Sequence, residues 1–252
     1  MSPEAPHRYG RALALASGLT ALVLLIGLAI SRVADEALPY LTREPASVLD
    51  APLTDSRGHP TTLGDFRGKV VVLSDVMTLC QESCPIITAS MVAAARELDA
   101  SPRGDRVEFV SVTIDPTRDD VRHLRAYQRQ FGAVPTWTLL TGSRRVVDQL
   151  WDTLGVWRRR THLERPYPHD WVSGVPLTTD IAHTDELIFV DGDQNFRYEM
   201  DGYGNVPASS IPGRIYGFMD RLGHRNVSAA DPGSWTPAQV VDVVDWLLGG
   251  AS

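Results

Sequence analysis

Sulfur is scarce in this chain: its 252 residues contain two cysteines, Cys80 and Cys84. So low a number excludes a small disulfide-stapled scaffold, which needs several bridges. Positive charge is also short, with 24 Lys and Arg against 31 Asp and Glu and a formal net charge of -7. A nucleic-acid partner is thereby disfavoured, because phosphate binding needs a basic face. The lone basic cluster, Arg158-Arg159-Arg160, is too short to supply one. Internal repeats and low-complexity tracts are absent. At about 100 to 200 residues per domain, the length suggests one domain with insertions and a sizeable core.

Uncharged runs long enough for a bilayer are missing, with one exception. Ala12 to Ser31 carries no charge and is rich in Leu, Ala, Val and Ile. At 1.5 Å per residue this run spans the roughly 30 Å of hydrocarbon in a membrane, longer than the 7 to 15 residues, roughly, of a signal-peptide core. The expected organisation is a cytoplasmic tail at 1–11, a transmembrane anchor at 12–33, a linker at 34–47 and one domain at 48–250. Arg8 and Arg11 before the span, and Asp35, Glu36 and Glu44 after it, place the amino terminus in the cytoplasm and the domain outside it. The first eleven residues are too few, and too poor in Arg and Ser, for a mitochondrial transit peptide, which points to a bacterial envelope.

The cysteines lie in Thr78-Leu79-Cys80-Gln81-Glu82-Ser83-Cys84-Pro85, between the apolar run Val70-Val71-Val72-Leu73 and a segment of helical period. Residues i and i+4 share one helix face with β-carbons about 5 to 6 Å apart, so both sulfurs are expected to point at one spot. Pro85 suits a first helical turn. Free amides and the dipole at a helix N-terminus pull a thiol below its free value of about 8.5. Three readings fit such a pair. It is a structural disulfide or two idle buried thiols; or a redox dithiol, although the thioredoxin-type motif has two intervening residues where this chain has three; or a soft-metal site. Thiolates select Cu(I) or Zn(II), and two sulfurs leave a shell that a third ligand must complete.

Around this stretch the pattern predicts a hairpin at Leu53–Leu63, a buried strand at Lys69–Val76, and a helix with Ile87, Met91, Ala94, Ala95 and Leu98 on its core face. A second buried strand, Val107–Ile114, ends in Asp115-Pro116, a turn read as structural. Asp119 is expected to cap a helix carrying Leu124, Tyr127 and Phe131. A third strand begins at Trp137, and Ser143 caps the next helix. Alternation of strand and helix implies a parallel sheet covered on both faces. Residues 158–180 show no periodicity and read as a long loop. A strand at Glu186–Val190 and its partner at Phe196–Met200 form a hairpin, Ile211–Leu222 reads as a helix in an irregular stretch, and Thr236-Pro237 opens a closing helix. Among the histidines, His59, His123, His162 and His169 are expected on the surface, and His224 has no evident partner.

In this order of elements the chain resembles the SCO/SenC family of membrane-anchored copper-binding proteins. Four stretches carry the likeness: Cys80 to Pro85 for the family's CxxxCP, Asp115-Pro116-Thr117-Arg118-Asp119 for its DPxRD, Leu140-Thr141-Gly142 for its LTG, and His183 followed by the strand Phe189 to Gly192. They run in order across about Ala51 to Tyr203. The resemblance implies a thioredoxin-like α/β fold, a central mixed sheet flanked by helices. It also implies metal ligation by Cys80, Cys84 and His183 and a copper cofactor, Cu(I) or Cu(II). The implied partner is subunit II of cytochrome c oxidase or another copper-receiving membrane protein, with other copper chaperones or thioredoxin-like reductases upstream. Two positions depart from the family: Gln81 stands where proline is usual, and Ala182 where aspartate precedes the histidine. Asp180 and Asp185 are the candidate substitutes for that carboxylate. Two functions follow. The first is a metallochaperone, not an enzyme; the second is a thiol-disulfide oxidoreductase or redox sensor using Cys80 and Cys84 without metal. A peroxidase fits less well, since Thr78 lacks the accompanying proline.

Overall fold

The computed structural model describes residues 46–228 and 235–249. The tail at 1–11, the span at 12–33 and nearly all of the linker lie outside them. Among the described residues no helix is long and apolar enough to cross a membrane.

The described chain runs α1 (Ala46–Leu49), β1 (Leu53–Asp55), β2 (Pro60–Thr61), β3 (Val70–Val76), α2 (Cys84–Asp99), β4 (Val107–Thr113), α3 (Val121–Phe131), β5 (Trp137–Gly142) and α4 (Arg144–Thr153). It continues through β6 (Arg158–His162), β7 (Thr179–His183), β8 (Glu186–Val190), β9 (Phe196–Asp201), α5 (Gly213–Tyr216), α6 (Arg221–Ser228) and α7 (Pro237–Leu247). Seven strands form one mixed sheet in the order β2-β1-β5-β4-β3-β8-β9. β3, β4 and β5 are parallel, as their helical crossovers require, while β1 and the β8–β9 hairpin pair antiparallel on either side. This is the α/β layout expected from the sequence.

β3 and β4 are buried at all seven positions, because each lies between two strands and under helices on both faces. Alternate side chains feed two cores. Val70 and Val72 face Leu98, Phe109, Tyr127 and Val244 on the side of α2, α3 and α7, while Val71 and Leu73 face Val147, Leu150 and Trp151 of α4. Cys80 and Cys84 belong to the second core. Trp151 is fully buried, and its indole nitrogen donates to the Thr113 carbonyl at 3.1 Å, so its polar atom is satisfied at the sheet's end.

Several expectations need correction. Residues 158–180 are not a plain loop: β6 and β7 form an antiparallel ribbon with Arg158 opposite His183 and His162 opposite Thr179. Apart from Ile181 its residues are half-buried or exposed, so no burial alternation marks it in sequence. Asp119 does not cap α3. That role belongs to Asp120, whose carboxylate accepts from the His123 amide at 2.8 Å. The expected helix at Ile211–Leu222 is split into α5 and α6, and the Asp220 carboxylate accepts from the Leu222 and Gly223 amides at the start of the second. His59, His162 and His169 are exposed as expected, but His123 is buried. Its Nδ1 lies 2.9 Å from Asp120 and its Nε2 2.9 Å from Asp170, which is the residue that covers it.

Asp170 also accepts from the Val172 and Ser173 amides and the Ser173 hydroxyl, so His123 ties the 163–178 loop to α3. Burial works against a charge on His123, and the Asp170 and Asp120 carboxylates outweigh it, raising its proton affinity above the usual 6.5. Burial likewise opposes the charge on Asp170, yet the Ser173 hydroxyl, His123 and the two amides bring it down to about 2 from 3.8. The His123 share of stability is therefore complete below 6.5 and lost as pH rises through the higher folded value; the Asp170 share is complete above 3.8 and lost as pH falls through about 2. In His123→Gln, urea unfolding is expected to show stability lower by about 2 kcal/mol in mildly acidic buffer and no decline on the alkaline side attributable to this pair.

Candidate metal centre

The centre is built where β3 and β4 end. Beyond β3 the chain turns through Met77–Ser83, and α2 begins only at Cys84, with Ser83 at its N-cap and Pro85 in its first turn. Cys80 therefore lies outside the helix, in a turn whose amide donates to the Met77 carbonyl at 3.0 Å. The two sulfurs meet because this turn folds back over the helix start. The expected shared helix face is not the cause, since proline and the cap delay the helix by four residues.

Three buried contacts fix the turn. The Thr78 amide donates to Asp119 at 3.1 Å, its hydroxyl donates to the same carboxylate, and Thr113 at the end of β4 donates to it at 2.6 Å. The indole of Trp171 donates to the Thr78 carbonyl at 2.9 Å. Gln81 is held by the other insertion: its side-chain amide donates to the Phe218 carbonyl at 2.8 Å, and its carbonyl accepts from the Asp220 amide at 3.1 Å. A β-carbon on Gly223 would come within 2.2 Å of that carbonyl, so only glycine permits α6 to lie this close. The glutamine that departs from the family's proline is thus the residue that docks the 211–228 segment on the cysteine turn.

β7 brings the third group. The Asp115 carboxylate, fully buried, pairs with Arg118, whose guanidinium also donates to the Thr179 carbonyl of β7 at 2.7 Å and lies 3.6 Å from the Met77 sulfur. The Asp-Pro turn is structural as read, and through Arg118 it positions the histidine strand. A polar cleft of about 390 Å³ beside it is lined by Arg158 and Arg160, and both are already paired with Asp115, Asp148 or Asp152.

Cys80, Cys84 and His183 are brought together, each offering a ligand atom within 4.8 Å of the others. The Cys84 sulfur is 3.5 Å from Nε2 of His183. Both thiols are free and buried, Cys84 at 0% exposure and Cys80 at 6%. Nδ1 of His183 donates to the Thr184 carbonyl at 2.9 Å; a carbonyl only accepts, so the ring must keep its proton on this side and Nε2 is the nitrogen that faces the sulfurs.

The carboxylate behind the ring was not foreseen. Asp180 does not contact the imidazole in this structure, and Asp185 does at 3.4 Å, but the nearest acid is Asp75, whose Oδ2 lies 2.9 Å from Nδ1. Asp75 is the one charged-type residue in a buried central strand, and that conflict with its surroundings was the signal available in sequence. Its Oδ1 accepts from the Glu186 amide at 3.2 Å, while its buried Oδ2 receives no hydrogen bond.

The electrostatics divide the thiols. A hydrogen bond from Cys84 pulls Cys80 well below the ordinary cysteine value against its burial, and His183 helps. Burial, then the neighbouring Cys80 and the carboxylates, pushes Cys84 well above it. The helix N-terminus therefore does not make Cys84 a thiolate, contrary to expectation; Cys80 carries that charge. Burial opposes a charge on His183, and Asp75, Cys80 and Asp185 together outweigh it, raising its proton affinity well above the ordinary histidine value. Burial also pushes Glu82 up to about 7, Asp180 to about 6 and Asp185 to about 7, each raised further by the Cys80 charge. Two cysteine sulfurs and an imidazole nitrogen form a sulfur-rich donor set, which suits a soft cation.

Fold and centre together define a thioredoxin-like α/β protein with a dithiol–imidazole cluster at the carboxyl edge of its sheet. Residues 46–209 match the SCO1/SenC family, and the chain belongs to it. Among curated relatives, "Protein SCO2 homolog, mitochondrial" of Mus musculus is 37% identical over 94 residues, covering 37% of this chain and 36% of that protein. The Homo sapiens protein of the same name is 37% identical over 100 residues, 40% of this chain and 37% of its own. The chain thus spans little more than a third of the length of these relatives. The fold is shared with ScoI of Bradyrhizobium japonicum with copper bound (TM-score 0.51, 16% identity, 78% of this chain and 96% of that one). It is shared equally with copper-bound ScoI of Arabidopsis thaliana (TM-score 0.51, 21% identity, 66% and 94%).

Removing Arg118 frees β7 and strips the buried Asp115 of its closest cation. Arg118→Ala is expected to lower stability by about 3 kcal/mol in denaturant unfolding, a cost set by a buried carboxylate left with only Arg160 at 3.4 Å.

Proposed function

We propose that this protein binds copper through Cys80, Cys84 and His183 and delivers it outside the cytoplasm to a membrane-bound recipient during cytochrome c oxidase assembly, the recipient being the binuclear copper site of subunit II. The single observation that carries this reading is the convergence of two sulfurs and one imidazole nitrogen within 4.8 Å, drawn from two segments 99 residues apart. A dithiol oxidoreductase has no use for the third group. Two thiolates and an imidazole match the soft-ligand preference of Cu(I) and also hold Cu(II). The relatives support copper as the ion, since the ScoI structures of similar fold carry it. In this reading residues 12–33 anchor the protein in the membrane with 48–250 outside the cytoplasm, as the charge distribution around that run suggests.

Copper must displace the protons of Cys84 and His183, while Cys80 offers a thiolate from the start. Metal uptake therefore releases protons, and affinity rises with pH. The chain's own residues do the rest: Asp119 and Trp171 hold the cysteine turn, Arg118 holds the histidine strand, and the Thr184 carbonyl fixes the ring so that Nε2 is presented.

A second reading, thiol-disulfide exchange without metal, is favoured by one specific observation: the opposed proton affinities of Cys80 and Cys84 resemble an attacking and a resolving thiol. The histidine separates the two. Copper titration of the reduced soluble domain, followed by X-ray absorption, is expected to show one ion with two sulfurs and at least one nitrogen. His183→Ala is expected to weaken copper binding at least tenfold and leave disulfide exchange with a small thiol largely intact. Absence of stoichiometric binding by the unmodified domain would leave only the dithiol chemistry.

A further inference from the structure

Asp75 is unusual twice over. It interrupts the apolar β3 sequence Val70–Val76 at a position 1% exposed, and one of its carboxylate oxygens, Oδ2, is buried with no hydrogen-bond donor. A carboxylate oxygen left in that state costs free energy unless a positive charge lies nearby. The group beside it is Nδ1 of His183 at 2.9 Å, whose own proton is directed to the Thr184 carbonyl instead. The other ring nitrogen faces Cys84. Asp75 thus places a carboxylate on the far side of the imidazole from the sulfurs, held there by the Glu186 amide at 3.2 Å. Asp185, the other carboxylate near the ring, differs: it is farther at 3.4 Å, and its Oδ1 is already satisfied by the Ser83 hydroxyl at 2.9 Å.

We propose that Asp75 is a positioning residue that sets which copper valence the centre prefers, favouring Cu(II) over Cu(I) by placing a buried carboxylate behind His183. This inference rests on copper being the ion held by Cys80, Cys84 and His183. The attraction between a fixed buried charge and an ion grows with the ion's charge, so the same carboxylate stabilises the divalent ion more than the monovalent one. It acts through the imidazole without entering the ligand set, and because β3 is buried at all seven positions, water screens it little. Ala182, beside the ligand on β7, supplies only a methyl group, which leaves Asp75 as the nearest carboxylate to the ring.

The test is Asp75→Asn, which keeps the shape and removes the charge. Affinities for Cu(II) and Cu(I) are measured separately by competition, and the Cu(II)/Cu(I) midpoint potential by redox titration of the loaded domain. Cu(II) affinity is expected to fall about 10- to 100-fold, with a clearly smaller loss for Cu(I). Every tenfold difference between the two moves the midpoint by about +59 mV. Asp185→Asn is expected to shift it less. An equal loss for both valences, or an unchanged potential, overturns the proposal and assigns Asp75 a purely structural role. If the asparagine variant does not fold, Asp75→Val, which continues the apolar pattern of β3, is judged by the same criterion. Failure of the unmodified domain to bind copper overturns the underlying metal reading as well, so the two failures are told apart by the first titration.

Discussion

The centre depends on one buried carboxylate, Asp119, at which two strand ends and the cysteine turn are joined. The Thr78 hydroxyl donates to one oxygen of this carboxylate, and the Thr113 hydroxyl at the end of β4 and the Thr78 amide donate to the other. None of these three residues is more than 1% exposed. Burial raises Asp119 to about 6 even though these donors favour its charge, a sign of how dry the spot is. A turn of seven residues between a strand and a helix has too much conformational freedom to hold two sulfurs in register unaided. The buried acceptor removes that freedom. Its neighbour Arg118, four atoms of main chain away, does the equivalent for the histidine strand through the Thr179 carbonyl. One short motif thus governs both halves of the ligand set, although none of its side chains reaches the cluster.

Much of this was legible in the sequence where burial has a period. The continuous apolar runs of β3 and β4, the helical spacing in α2, and the Ser143 and Thr236 caps appear in the structure as read, because each depends on residues near in sequence. The cluster of Cys80, Cys84 and His183 came from the likeness of motifs, since no local rule links residues so far apart. What escaped was settled by contacts from distant segments. His123 falls beside the helix's core stripe and reads as solvated, until Asp170 from a loop 47 residues later covers it. β6 and β7 pair outside the main sheet, so their side chains follow no inward and outward alternation. Asp119 and Asp120 are chemically alike, and only the fold decides which faces the helix amides and which faces the core.

The two insertions without a clear pattern turn out to converge on the same turn. The 163–178 loop contributes Trp171, whose indole binds the Thr78 carbonyl, and Arg214 from α5 lies over that indole while donating to its backbone carbonyl at 2.6 Å. The 211–228 segment grips Gln81 from the other side. A proline at position 81 would stiffen the turn by its own ring but could offer no side-chain amide to Phe218. This chain replaces intrinsic stiffness with external contacts. The consequence is that the cysteine turn's conformation is coupled to the packing of α5 and α6, and so to Gly223, whose missing β-carbon allows their approach.

The asymmetry of the two sulfurs bears on either chemistry. Cys80 is the more exposed of the pair and holds the charge, while Cys84 is sealed and holds the proton. An incoming soft ion or disulfide meets the nucleophilic, less deeply buried sulfur first, and the second sulfur is engaged only after losing its proton. Departure runs in the opposite order, because the sulfur with the higher proton affinity is also the better one to reprotonate. Under the copper reading, Cys80 would be the sulfur that a recipient's ligand meets first, with Cys84 and His183 holding the other side of the ion.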